Sequence, residues 1–115
     1  MAAQTPQNKT PQKIKSSEAP SSGPKFLRQL ASGDQVGMRM WVDEKPGDKE
    51  SKMHSSPYET VGYVIDGKAK LHCGGETIEL AKGDSWFVPA DVEHCYEILD
   101  SFTAVEATSP PSARS

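Results

Sequence analysis

The chain has little of what usually announces a function. Its 115 residues contain no run of about 18 apolar residues, which excludes a membrane-spanning helix. The N-terminus lacks the apolar centre of a secretory signal. It contains Lys and Ser and little acid, but it lacks the arginines and the amphipathic face of a transit peptide, so a cytoplasmic location is expected. There are two cysteines, Cys73 and Cys95. They form no CxxC pair, and without an export signal both are expected to stay reduced. No Ser/His/Asp order, phosphate-binding loop or paired-carboxylate signature stands out. Helical periodicity is missing as well, and "KFLRQLA" has room for one turn at most.

Positive charge is scarce where a fold could form. Lys9, Lys13, Lys15 and Lys25 against Glu18 alone give the first 25 residues a net charge of +3. With −3 for the whole chain, the remainder carries −6. An acidic folded part excludes a nucleic-acid partner, because neutralising phosphates needs clustered Lys and Arg. The opening "MAAQTPQNKTPQKIKSSEAPSSG" has Ile14 as its one large aliphatic residue. It cannot bury enough apolar surface to offset ordering entropy, so residues 1–24 are expected to be a disordered tail. Residues 109–115, with two prolines and small polar side chains, are expected to fray. That leaves residues 25–108 as a single domain.

What the chain does have is alternation with a period of two. In "QVGMRMWVDE", Val36, Met38, Met40 and Val42 alternate with Gly37, Arg39 and Trp41. "ETVGYVI", "KAKLHC", "ETIEL", "SWFVP", "HCYEIL" and "FTAVEA" follow as further short strands. Asp66-Gly67 reads as a two-residue hairpin turn, Gly74-Gly75 and "AKGD" as turns, and Asp100-Ser101 as another. Seven or eight short strands without a helix predict an all-β sandwich or barrel, and closure would remove the exposed edges of so small a domain.

Two segments carry the chemistry. "HSSPYETVGYVIDG" resembles the first sequence motif of the cupins, and "GDSWFVPADVEH", with Gly83, Pro89 and His94, resembles the second. The resemblance spans roughly Gln35–Thr108. It implies a double-stranded β-helix, the jelly-roll barrel of that family, often with one metal ion inside and often paired as a homodimer. Aligned on Gly67, His54 takes the first histidine position, Ser56 the second, and Glu59 or Thr60 the acidic one, with His94 as the third histidine. In an alternative frame His54 is the second histidine and Lys52 stands where the first would be. In both frames one histidine is missing.

The implied metal ligands are therefore His54, Glu59 and His94. Two imidazoles and one carboxylate suit a divalent Fe, Mn, Zn or Ni ion with open positions. In an unbroken strand Glu59 points away from His54, Ser56 and Thr60, so it can turn inward only if Pro57 bends the chain. Ser56, Tyr58, Thr60, Phe87 and Tyr96 are expected to line a pocket for a small molecule, with Tyr63 beside them. His72 is expected on the surface, Cys95 in packing, and Trp41 and Trp86 in the core or an interface. Three functions stay open. One is a metal-binding cupin, with or without catalysis on a small organic molecule. Another is a metal-free ligand-binding or regulatory barrel. The third is an interaction protein whose barrel is structural and whose basic tail docks to an acidic partner.

Overall fold

The computed structural model describes residues 10–20, 27–47 and 52–112. Among them are six strands: β1 (Leu27–Ser32), β2 (Gly37–Glu44), β3 (Glu59–Cys73), β4 (Glu76–Ala81), β5 (Ser85–Val88) and β6 (His94–Ser109). All pairings are antiparallel, in the order β1-β2-β6-β3-β4, with β5 also on β3. No described helix is long and apolar enough to cross a membrane.

β3 and β6 run alongside one another from Glu59↔Ser109 to Cys73↔His94, and the register shifts in the middle, between Val64 and Ala69. There both strands turn a corner. The first half of β3 pairs with β5 and with the second half of β6, which continues into β2 and β1. The second half of β3 pairs with β4 and the first half of β6. One curled sheet thus supplies two facing layers. Val64, Phe102, Ala104, Trp86 and Val88 of the first layer pack with Ala69, Leu71, Leu80, Tyr96 and Ile98 of the second in one buried cluster.

Asp66-Gly67 is therefore not a hairpin turn, as the dipeptide suggested, but the corner inside β3. Gly67 has φ +93°, and a Cβ there would lie 1.8 Å from the Ser101 carbonyl oxygen. Asp100-Ser101 is the matching corner inside β6. A positive-φ glycine is the signal for both devices, and only the long-range pairing of β3 with β6 chooses the corner. "KFLRQLA" likewise makes no helical turn in its described part. Leu27–Ser32 is the edge strand β1, held by its pairing with β2. The turns at Gly74-Gly75 and Lys82-Gly83, the strand ended by Pro89 and the new strand at His94 lie where the pattern put them.

The described part of the N-terminal segment holds a short 3-10 turn, Ser16–Glu18. It lies along β1: Arg28 Nη1 donates to the Ser16 carbonyl at 2.8 Å, and the Gln29 amide donates to the Pro20 carbonyl at 3.0 Å. Residues 1–9 and 21–24 of the expected tail lie outside the described residues, as do residues 113–115 of the expected frayed end. Ser112 is tied back by its amide, which donates to Thr108 Oγ1 at 2.8 Å.

Candidate functional site

The segment before β3 is latched to the start of β6. His54 and His94 exchange both backbone hydrogen bonds, at 3.0 and 2.8 Å, and the Asp91 amide donates to the Ser56 carbonyl at 2.7 Å. A pair bonded in this way carries its two side chains on the same side. The two imidazoles accordingly come together, with ring centroids 4.5 Å apart and planes tilted by 50°. His94 is buried and His54 exposed. His94 Nδ1 lies 3.0 Å from the Val92 carbonyl and His54 Nδ1 lies 3.3 Å from the Lys52 carbonyl. A carbonyl only accepts, so both rings carry their proton on Nδ1, and a neutral ring in that tautomer has its lone pair on Nε2.

The expected carboxylate does not join them. Glu59 is exposed at the first position of β3, and its neighbour Thr60 is the buried one, paired with Val88 and Thr108. The bend after Pro57 leaves the alternation of β3 intact, so the inward acidic position holds a hydroxyl. Ser56 is half-buried. Among the described residues no group of three or more His, Cys, Asp or Glu side chains is placed to hold a metal ion. The donor set of two imidazoles and two hydroxyls falls short of a resident divalent ion, because a neutral hydroxyl is a weak ligand.

The charged groups inside the barrel are ones that the motifs did not mark. Arg39 and Glu106 face each other across β2 and β6, and Arg39 Nε donates to Glu106 Oε1 at 2.6 Å. Glu106 is 2% exposed. Arg39 Nη1 reaches Ser112 Oγ at 3.3 Å and Tyr58 Oη at 3.5 Å. Its guanidinium carbon lies 5.5 Å from the Trp41 ring centroid and 5.6 Å from that of Tyr58. On the other side of the carboxylate, Tyr96 Oη donates to Glu106 Oε2 at 3.5 Å and accepts from Trp86 Nε1 at 3.0 Å. Trp86 can lie against β3 because Gly62 has no side chain; a Cβ there would sit 2.4 Å from the indole.

Burial works against the charge on Arg39, but Glu106 and Tyr58 outweigh it and hold the pKa above its ordinary value. Burial pushes the Tyr96 phenol well above its ordinary range, and the charge of Glu106 adds to this. Tyr96 is a neutral hydroxyl at any physiological pH. Burial, then Glu76, pushes the Cys73 thiol up, which argues against Cys73 as a nucleophile.

The pocket residues named from sequence divide between two sides. Tyr96 and Thr60 are buried, Tyr58 is half-buried beside Arg39, and Ser56 is half-buried with its carbonyl accepting from the Asp91 amide. Phe87 is 53% exposed and Tyr63 50%; neither lines the barrel, since Trp86 and Val88 take the inward positions of β5 and Gly62 and Val64 those of β3. His72 is on the outer surface as expected, between Thr77 Oγ1 at 2.8 Å and Glu97 Oε1 at 3.1 Å. Cys73 and Cys95 are free thiols, and Trp41 and Trp86 are buried. The signal for the Arg39–Glu106 pair was present: one opposite charge in each of the apolar strands "MRMWV" and "FTAVEA".

Several solved structures share this architecture. An RmlC-like cupin from Shewanella frigidimarina superposes with a TM-score of 0.76 at 20% identity, over 90% of this chain and 94% of that one. KdgF from a Halomonas species gives 0.71 at 16%, over 86% and 92%. A conserved protein of unknown function from Streptococcus pyogenes gives 0.66 at 22%, over 98% and 100%. At these identities the likeness is one of fold. No curated protein matches the chain. The sequence model of the cupin domain matches residues 40–107, which takes in the second part of β2 through most of β6, with His54 and His94, and the chain belongs to the cupin family.

Proposed function

We propose that this protein is a small-molecule-binding cupin that works without a resident three-ligand metal centre. One observation carries the reading: the inward acidic position is Thr60, and the buried carboxylate nearby, Glu106, is committed to Arg39 at 2.6 Å. A carboxylate already neutralised by a guanidinium is a poor donor to a cation. The same pair, with the hydroxyls of Tyr58 and Ser112 around it, suits an oxygen-rich organic ligand. Such a ligand would accept from guanidinium and hydroxyl groups and rest against the Tyr58 ring. The role is binding, with no reaction assigned.

The test is elemental analysis of protein purified without chelator or nickel-affinity steps, beside His94→Ala and the double variant Ser56→His/Thr60→Glu. The expected result is far less than one equivalent of Fe, Mn, Zn or Ni in the wild type and no change in His94→Ala. The double variant, which restores the missing imidazole and carboxylate, should take up zinc at least about a hundredfold more tightly. A stoichiometric metal in the wild type that His94→Ala loses would overturn the proposal. It would favour the second reading, a divalent ion held by His54 and His94 with water. That reading has its own support in the 4.5 Å approach of two rings that share one tautomer.

A further inference from the structure

The segment that follows β6 crosses the Arg39 end of the barrel. β6 ends at Ser109, and the next two residues are prolines, which have no amide hydrogen to extend the ladder. Side-chain contacts hold Pro110–Ser112 instead. At the root, Ser109 Oγ donates to the Gln35 carbonyl at 2.7 Å. Pro111 lies against Gly37, whose missing side chain leaves it room: a Cβ there would come within 3.2 Å of the Pro111 Cβ. Farther along, the Ser112 amide donates to Thr108 Oγ1 at 2.8 Å, and Ser112 Oγ accepts from Arg39 Nη1 at 3.3 Å. A cleft of about 180 Å³ opens between Pro111 and Ser112 on one side and Gln29, Leu30 and Met38 on the other, so the segment is not packed flat on the sheet.

We infer that Pro110–Ser112 is a displaceable cover of the Arg39 site, and that Ser112 holds the places of two ligand atoms until a ligand takes them. The inference rests on the small-molecule reading of the barrel and concerns how that site is closed and what opens it. Thr108 is 1% exposed and the Arg39 side chain 16%. Polar groups this deeply set need partners, and Ser112 supplies one to each. It offers an acceptor oxygen to Arg39 and a donor N–H to Thr108 from neighbouring carbons, in the order N–Cα–Cβ–Oγ. A ligand that takes over both contacts offers the same two groups at the same spacing, as a vicinal diol or the amide of an amino alcohol does. Glu106 already balances the charge of Arg39, so a neutral fragment fits better than an anion. The contacts of Arg39 Nη1, 3.3 Å to Ser112 and 3.5 Å to Tyr58, are longer than a good N–H···O bond, and a better-placed ligand oxygen outcompetes them. Of the two hydroxyls beside the guanidinium, Tyr58 stays and Ser112 gives way.

The rate at which phenylglyoxal, a neutral arginine-selective dicarbonyl, modifies Arg39 tests the cover in the full chain. Mass spectrometry of the digested protein reads Arg39 and Arg28 separately. Ser112→Pro removes the amide hydrogen and the hydroxyl together, and Thr108→Val removes the acceptor. Arg39 should react at least about tenfold faster in both variants than in the wild type, because a cover held by these hydrogen bonds is open only a small fraction of the time. Arg28, whose Nη1 donates to the Ser16 carbonyl, should react equally in all three chains, with unchanged far-UV circular dichroism. If Thr108→Val fails to fold, Ser112→Ala replaces it, with a smaller rise at Arg39. Ethylene glycol, a vicinal diol, should slow the reaction of Arg39 in Ser112→Pro, and methanol at the same hydroxyl concentration should not. Equal Arg39 rates in wild type and folded variants overturn the cover, as does a rise that Arg28 shares. Equal protection by the two alcohols, or none by either, overturns the assignment of the fragment. A stoichiometric metal that His94→Ala loses overturns instead the reading of the barrel on which the inference rests, so the two failures are told apart.

Discussion

At the scale of single residues, Arg39 and Glu106 form an ion pair inside the barrel. Glu106 and Arg39 are both largely buried and 2.6 Å apart, so removing either one strands the other in a medium of low polarity. Glu106→Gln or Arg39→Met is expected to cost about 3–5 kcal/mol in urea unfolding. Arg39→Met with Glu106→Leu together should cost much less than the sum, since the pair is exchanged for apolar volume. Tyr96 supplies the pH dependence. Its phenol ionises at about pH 10 in the unfolded chain and well above that in the folded one. Between the two values the folded state holds one proton more, so stability falls as pH rises, by about 1.4 kcal/mol per pH unit. Below pH 10 this contribution is complete. Urea titrations at pH 8 and pH 11 should show a steeper alkaline loss for wild type than for Tyr96→Phe. The variant itself should be about 1–3 kcal/mol less stable at pH 8, because Trp86 Nε1 loses its acceptor. Equal alkaline slopes would show that the phenol is not held neutral by the fold.

At the scale of elements, the barrel depends on two long strands that change layer midway. Gly67 makes the change possible in β3. Its φ of +93° disfavours any other residue, and the Ser101 carbonyl occupies the place of a side chain. Gly67→Ala is expected to lower stability by more than about 3 kcal/mol, combining backbone strain with a clash against backbone that cannot move aside. Gly47→Ala has a similar φ of +88° but open space around the Cβ, so it isolates the strain part and should cost about 1 kcal/mol. Comparable losses in the two variants, measured by thermal unfolding, would mean that the crossing of β3 and β6 is looser than drawn. The same element explains how the expected site came apart. β3 begins at Glu59 without a bulge, so alternation sends Thr60 inward and Glu59 to solvent.

At the scale of the whole molecule, one outer layer of the barrel carries Glu79, Lys70 and Glu97 in a cross-strand row, and the other exposes Met38, Val61, Tyr63 and Phe87.

Much of the fold was legible in the sequence. The period-two alternation, the turns at Gly74-Gly75 and Gly83, the stop at Pro89 and the motif around His94 are local features, set by backbone sterics and hydrogen-bond geometry between near neighbours. They were sufficient to predict an all-β sandwich or barrel; the cupin kind, and with it His54 and His94, came from the resemblance of two segments to that family's motifs, and the two rings do meet. Alternation has no sign, however: it separates two faces of a strand without saying which is inside. That choice put Arg39 and Trp41 inward and Met38 outward, turned Phe87 and Tyr63 away from the barrel, and made Asp66-Gly67 a corner instead of a hairpin. Each of these depends on contacts between residues far apart in the chain, Arg39 with Glu106 and Gly67 with Ser101, whose free energy exists only once the sheet has closed.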